Sequence, residues 1–112
     1  MFKIKQSATF LWPVEVMVAG DGGKFTKETF DAEFERVSQS TLEAMESEIT
    51  QGKLGDKELA RRVTKGWSGV TEDGAEVPFS AGNLEKLLDV PTAAASIVRA
   101  FIAANSGVAR KN

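Results

Sequence analysis

The chain has 112 residues, with 14 Lys and Arg against 16 Asp and Glu, and it contains no histidine, cysteine or tyrosine. The lack of cysteine excludes disulfides, thiolate nucleophiles and zinc ribbons, and the lack of histidine removes the usual general base and metal ligand. The length predicts a single domain over residues 1–112 with a modest hydrophobic core. Any enzyme chemistry would depend on carboxylates, lysines and hydroxyls.

Charge changes sign in blocks along the chain. The net charge is +2 for residues 1–27, −6 for 28–52, +3 for 53–67, −4 for 68–89 and +3 for 90–112, which sums to −2. A nucleic-acid binder usually shows a clear basic excess, whereas the densest basic cluster here lies within 57–65, between two acidic blocks. We therefore expect no nucleic-acid partner.

Hydropathy gives no sign of a membrane protein. No stretch approaches the roughly 18 to 20 apolar residues that are needed to cross a bilayer. The first residues also lack the basic segment, apolar run and cleavage site of a signal peptide. We expect an intracellular protein without a membrane partner.

The N-terminal part, over about residues 6–34, has the pattern of a β-hairpin. Pro13 lacks an N–H group and favours an edge position for the first strand. A glycine-rich turn at 20–23 leads into a second strand, although Phe30, Phe34 and Val37 also fit a helix over part of 29–37. The first strand is indicated by apolar residues at every second position: Phe10, Trp12, Val14, Val16 and Val18.

Helical patterns follow over about residues 40–105. Ser40 and Glu43 match a capping box, which predicts a first helix over about 41–51 that ends at Gly52. Asp56 predicts the start of a second helix that reaches about Lys65.

Residues 67–78 have no helical period, and they predict a structured loop with a short hairpin around Asp73 and Gly74. Ser80 predicts the N-cap of a third helix, and Pro91 the first turn of a fourth helix that reaches about Ala104. We expect a frayed tail at 107–112. The sequence thus predicts an α+β fold in which an N-terminal β-hairpin packs against three to four helices.

The fourth predicted helix is more apolar than packing on one core requires. Its apolar residues cover an arc of roughly 200°, whereas a helix on one core needs an apolar stripe of about 100°. One interpretation is a fully buried central helix. The other is a surface for a partner or for self-association, formed by Ile97, Val98, Phe101 and Ile102.

Two clusters contain residue types that are found in phosphate-binding or metal-binding sites. The glycines before Lys24 lack the spacing of a phosphate-binding P-loop and are explained by a hairpin turn. The first predicted helix carries Glu43, Glu46 and Glu48 outside its apolar stripe. This position predicts a solvated acidic face and not a metal site. We expect no catalytic, cofactor-binding or metal-binding residues.

A series of motifs runs through nearly the whole chain in a fixed order. They are Phe10-x-Trp12-Pro13-Val14-x-Val16, Phe30-x-Ala32-x-Phe34, Gly66-Trp67-x-Gly69-Val70, Val77-Pro78-Phe79-Ser80, Asn83-Leu84-x-x-Leu87-Leu88 and Ile97-Val98-x-Ala100-Phe101. This order resembles small phage and prophage proteins classed as tail assembly chaperones. The resemblance is most specific between Trp67 and Phe101.

The resemblance implies a non-enzymatic role in the assembly of a long-tailed phage. Such proteins bind the hydrophobic tape-measure protein, keep it soluble and help to recruit tail-tube subunits. The resemblance also implies a location in the cytoplasm of the bacterial host and absence from the mature virion. Self-association is a further expectation, because alternating charge blocks favour assembly in register. The alternative is a structural tail or head-tail joining component that remains in the virion.

Overall fold

The structure is a computed structural model, and it describes residues 1–107. Within these residues it has an α+β fold, as the sequence predicts, and this fold consists of a three-stranded antiparallel sheet, a two-stranded hairpin and four α-helices. The sheet has the order β1-β2-β3. The elements are β1 Thr9–Ala19, β2 Phe25–Glu35, α1 Gln39–Thr50, α2 Asp56–Val63, β3 Thr64–Ser68, β4 Thr71–Glu72, β5 Ala75–Glu76, α3 Ala81–Leu88 and α4 Ala93–Ser106.

The predicted N-terminal hairpin is confirmed. β1 and β2 pair over their full lengths, with Val14 opposite Phe30, and a 3₁₀ turn at Asp21–Gly23 joins them. Gly22 supplies a φ of +74°, which glycine adopts without steric cost. β2 continues as a strand to Glu35, so the helical alternative for 29–37 is wrong. β1 lies at the sheet edge, as Pro13 predicts.

The third strand was not predicted. The second helix ends at Val63, two residues before Lys65, and the chain continues directly into β3. β3 pairs with β2, with Trp67 opposite Ala32 and a bulge between Glu33 and Phe34. A five-residue strand has little periodicity of its own, and this one is stabilised by pairing with residues 30 or more positions away in the sequence.

The helix boundaries differ from the sequence prediction at two N-caps. α1 is capped by Ser38, whose hydroxyl accepts a hydrogen bond from the Thr41 backbone N–H at 3.1 Å, and not by Ser40. Ser38 and Ser40 could each cap a helix that begins at the following residue. Ser38 is the N-cap because its backbone is extended, as an N-cap residue requires. For α2, Gly55 is the N-cap and Asp56 lies in the first turn, where its charge suits the helix dipole.

The later boundaries were predicted more closely. Ser80 caps α3 by accepting from the Asn83 N–H at 3.0 Å, and β4 and β5 form the short hairpin around Asp73 and Gly74. Pro91, however, precedes α4, whose N-cap is Thr92 with a φ of +71°. Gly107 ends α4, and the rest of the predicted frayed tail lies outside the described residues.

The core lies between one face of the sheet and the helices. Even-numbered residues of β1 and β2 point to this inner face, where Val14 and Phe34 are fully buried. α4 crosses the sheet, and the Phe34 and Phe101 rings meet edge to face with centroids 5.4 Å apart. α2 and α3 pack against α4, so α4 is the central helix of the core.

Candidate partner-binding surfaces

The structure buries most of the partner surface that was predicted on α4. Ile97, Val98 and Phe101 are 0%, 8% and 1% exposed, and only Ile102 is 39% exposed. Burial contradicts the partner-surface interpretation at the first three positions and supports the other interpretation, a buried central helix. The wide apolar arc is explained by contacts on several sides, because the sheet, α2 and α3 all pack against this helix.

An apolar groove lies beside α4, at a place the sequence did not predict. It has a volume of about 180 Å³ and opens between the distal half of the β1–β2 hairpin, the loop after β3 and the α3–α4 corner. Val90 is the most exposed of its apolar residues, at 40%. We define the apolar groove by these side chains: Val16, Val18, Val70, Leu87, Val90 and Ala93.

The α3–α4 corner positions Val90 at the surface. The two helices are bent by 104° relative to each other, and the corner is closed by hydrogen bonds from the Val90 N–H to the Leu87 carbonyl and from the Ala93 N–H to the Val90 carbonyl. The Thr92 hydroxyl also donates to the Met17 carbonyl at 3.3 Å, which attaches the corner to β1. These hydrogen bonds fix the backbone of the α3–α4 corner and attach it to β1, so both of these walls of the groove are ordered.

Charged side chains border the apolar groove. Glu28 lines it directly. A smaller groove of about 140 Å³ shares Val70, Leu87 and Val90 with it, so the apolar surface continues past the α3–α4 corner. Lys86 and Glu72 line that extension and form an exposed ion pair at 3.6 Å. The combined surface has an apolar floor and a polar rim, which is the usual composition of a protein-binding site.

A second surface is the outer face of the sheet, which no helix of residues 1–107 covers. Odd-numbered residues of β1 and β2 point to this face, and Leu11, Met17 and Phe25 are 64%, 44% and 66% exposed. We define the outer sheet face by these apolar residues with Pro13 and the odd-numbered acidic residues of β2, namely Asp31, Glu33 and Glu35.

Glu33 is held in place at the middle of the outer sheet face. One of its carboxylate oxygens accepts a hydrogen bond from the Thr9 hydroxyl at 2.7 Å. The other lies over Gly66 of β3, where a side-chain carbon would come within 2.5 Å of it. Gly66 thus makes room for a carboxylate that spans all three strands.

The arginines of the predicted basic cluster are held in ion pairs. Arg61 donates two hydrogen bonds to Glu85, at 2.6 and 2.8 Å, and Arg62 lies within 3.7 Å of Glu48 and 3.3 Å of Glu58. The hydrogen bonds from Arg61 hold the pKa of Glu85 below its ordinary value, and those to Glu85 raise the pKa of Arg61. These charges are thus matched by acids of the same chain.

The predicted acidic face on α1 lies at the surface. Glu43 and Glu46 are exposed, and Glu48 is the half-buried partner of Arg62. Over residues 1–107, no three acidic side chains come together in a group that could hold a metal ion.

Among residues 1–107, no single helix is long and apolar enough to cross a membrane, and α3 and α4 reach the required length only as a pair bent by 104°.

The fold and these surfaces define an α+β protein with apolar surface outside its core. Comparisons of the chain with protein-family models, with curated proteins and with solved structures found no match. The resemblance to tail assembly chaperones therefore rests on the residue pattern of the chain itself.

Proposed function

We propose that the protein is a phage tail assembly chaperone that binds the hydrophobic tape-measure protein through the apolar groove. The observation that carries the proposal is apolar surface beside a closed core, at Val70, Leu87 and Val90. It lies within the part of the sequence where the resemblance is most specific. The function requires binding and no catalytic residues.

The size of the groove suits reversible binding of an apolar segment. A client helix presents apolar side chains at positions i, i+3, i+4 and i+7, and a groove of about 180 Å³ receives only one or two of them. Each fully buried Leu or Val side chain contributes about 1.5 to 3 kcal/mol, from which the cost of association is subtracted. Such weak sites release a client easily, and several copies along one tape-measure protein would cover it.

The resemblance supports the remaining parts of the proposal. The protein would act in the cytoplasm of the bacterial host, help to recruit tail-tube subunits and be absent from the mature virion. Glu28 and the Lys86–Glu72 pair beside the groove would keep a covered client soluble, because they add charge to the outside of the complex.

The test is co-expression with the tape-measure protein encoded in the same phage or prophage genome. Val90→Asp places a charge in the groove, and Ile102→Asp places the same charge at a site of equal exposure, 39% against 40%. We expect the wild-type chain and Ile102→Asp to keep the tape-measure protein soluble, and Val90→Asp to lose this effect. Thermal unfolding of both variants checks that each is folded.

Two results would contradict the proposal. The first is an unchanged solubilising effect of Val90→Asp, which would exclude the groove as the client site. The second is the presence of this chain in stoichiometric amounts in purified virions, measured by mass spectrometry. That result would favour a structural tail or head-tail joining component.

A further inference from the structure

The first residues form a short arm with a distinctive pattern. Apolar Phe2 and Ile4 alternate with basic Lys3 and Lys5, and the two apolar side chains are 86% and 94% exposed. We define the N-terminal arm as residues 1–5. Neither Phe2 nor Ile4 belongs to the hydrophobic core or to the side chains that pack against it. The arm therefore carries apolar and basic groups that its own fold does not bury.

The arm leaves the sheet from a fixed point. The Arg36 backbone N–H donates to the Ala8 carbonyl at 2.9 Å, which continues the β1–β2 ladder by one pair beyond Thr9 and Glu35. The Arg36 side chain also donates to the Ser7 carbonyl at 2.9 Å. The position of the arm is thus set at Ser7, and residues 1–5 extend from the end of the sheet.

The outer sheet face is complementary to this arm in charge and in apolar character. Lys27 compensates Glu15 at 3.8 Å. Asp31, Glu33 and Glu35 remain as a row of carboxylates along β2, beside the exposed Leu11. In an extended conformation the arm places its apolar side chains on one side and its lysines on the other. This arrangement matches a surface on which Leu11 and Pro13 of β1 lie beside the carboxylates of β2.

The free edge of β1 is a poorer site for the arm than the face. The Ala8 carbonyl accepts from the Arg36 N–H, and the Gly20 N–H donates to the Lys24 carbonyl. The backbone N–H and C=O groups of even-numbered β1 residues therefore point to β2, and those of odd-numbered residues point to the free edge. On that edge Pro13 has no N–H to donate, and the Met17 carbonyl already accepts from Thr92. A strand added there would lose ladder bonds, whereas docking on the face needs none of them.

We propose that the N-terminal arm of one copy docks on the outer sheet face of a second copy. Phe2 and Ile4 cover Leu11 and Pro13, and Lys3 and Lys5 approach the carboxylates of β2. The exposure of Phe2 and Ile4 shows that the arm does not lie on its own outer sheet face. The proposal does not depend on the tail-assembly function.

The test uses paired charge reversals and sedimentation velocity over a range of concentrations. We expect wild-type mass to rise with concentration and the association to weaken at high salt. Lys3→Glu/Lys5→Glu in the arm, or Asp31→Lys/Glu35→Lys on the face, should each weaken self-association more than about tenfold. A mixture of the two variants should associate again, because each arm then meets a face of opposite charge. Lys53→Glu/Lys65→Glu is the control for net charge and should behave like the wild type.

Three outcomes would overturn the proposal: a wild-type chain that stays monomeric at every concentration, arm variants that associate like the wild type, or a mixture that does not associate. If circular dichroism shows that the face variant does not fold, the Phe2→Ser/Ile4→Ser variant tests the proposal by itself, again by sedimentation velocity. These substitutions alter only exposed side chains outside the core, and unchanged association of that variant contradicts the proposal.

Discussion

The two faces of the β1–β2 hairpin are built from alternate residues of the same strands, yet they have opposite environments. On the inner face Val14 and Phe34 are completely buried against the helices. On the outer face Leu11, opposite Glu33, and Phe25, opposite Ala19, are largely exposed. The difference shows that a residue's type does not determine its role here. The role is determined by whether the residue has an odd or an even position along the strand, because successive side chains of a strand point to opposite faces.

The largest expected effect compares two phenylalanines of β2. Phe34→Ala should lower the free energy of unfolding by about 3 to 5 kcal/mol, because it leaves a cavity beside Phe101. Phe25→Ala removes an exposed ring and should change it by no more than about 0.5 kcal/mol. Urea unfolding of both variants measures the difference. Similar losses in both would mean that the outer sheet face is packed in solution.

A smaller effect, of opposite sign, is expected at Thr64 on the inner face. Its hydroxyl oxygen is buried and has no hydrogen-bond partner among the described residues. Thr64→Val replaces the hydroxyl by a methyl group of similar volume and should raise the free energy of unfolding by about 1 kcal/mol. Thr64→Ser keeps the hydroxyl and serves as the control, which should be destabilised. A loss of stability in the valine variant would show that the hydroxyl is bonded.

On the outer sheet face, the Gly66–Glu33 contact should give a still smaller effect. Gly66→Ala would push the Glu33 carboxylate away from the Thr9 hydroxyl and should cost less than about 1 kcal/mol. In a Glu33→Ala background the same substitution should cost less, because the carboxylate is gone and the nearest remaining atom is the Cβ of residue 33 at 3.4 Å. A double-mutant cycle measures this coupling, and purely additive losses would contradict the described contact.

The smallest effect is expected at the exposed Arg61–Glu85 pair, which belongs to neither face. The folded state lowers the pKa of Glu85, so the pair stabilises the fold above the ordinary glutamate pKa. This contribution is lost as pH falls through the lowered pKa. Glu85→Gln should therefore be slightly less stable than the wild type at pH 7, with the difference disappearing in acid. A difference that grew as pH fell would contradict the assigned direction.

The sequence predicted the features that depend on local pattern. The alternation in β1, the glycine turn and the Ser80 cap are all contained in short segments, and the structure confirms them. The acidic residues at odd positions of β2 belong to its outer face.

Features that depend on distant parts of the chain were missed. β3 exists because Gly66 and Trp67 pair with β2, and no pattern within five residues reveals that pairing. The apolar groove depends on the corner that brings Val90 near Val18 and Val70, residues far apart in the sequence. The sequence shows the wide apolar arc of α4 but leaves open whether this helix is buried, because its burial depends on how many elements surround it.

Hydrogen exchange of the chain, alone and in complex with the co-expressed tape-measure protein, tests the central claim most directly. We predict that binding slows amide exchange around 70–71 and 87–90, the backbone of the apolar groove, and leaves the C-terminal turns of α4 unchanged. Protection confined to α4 would contradict this account, because it would mean that the client is bound by an opened core and not by the groove.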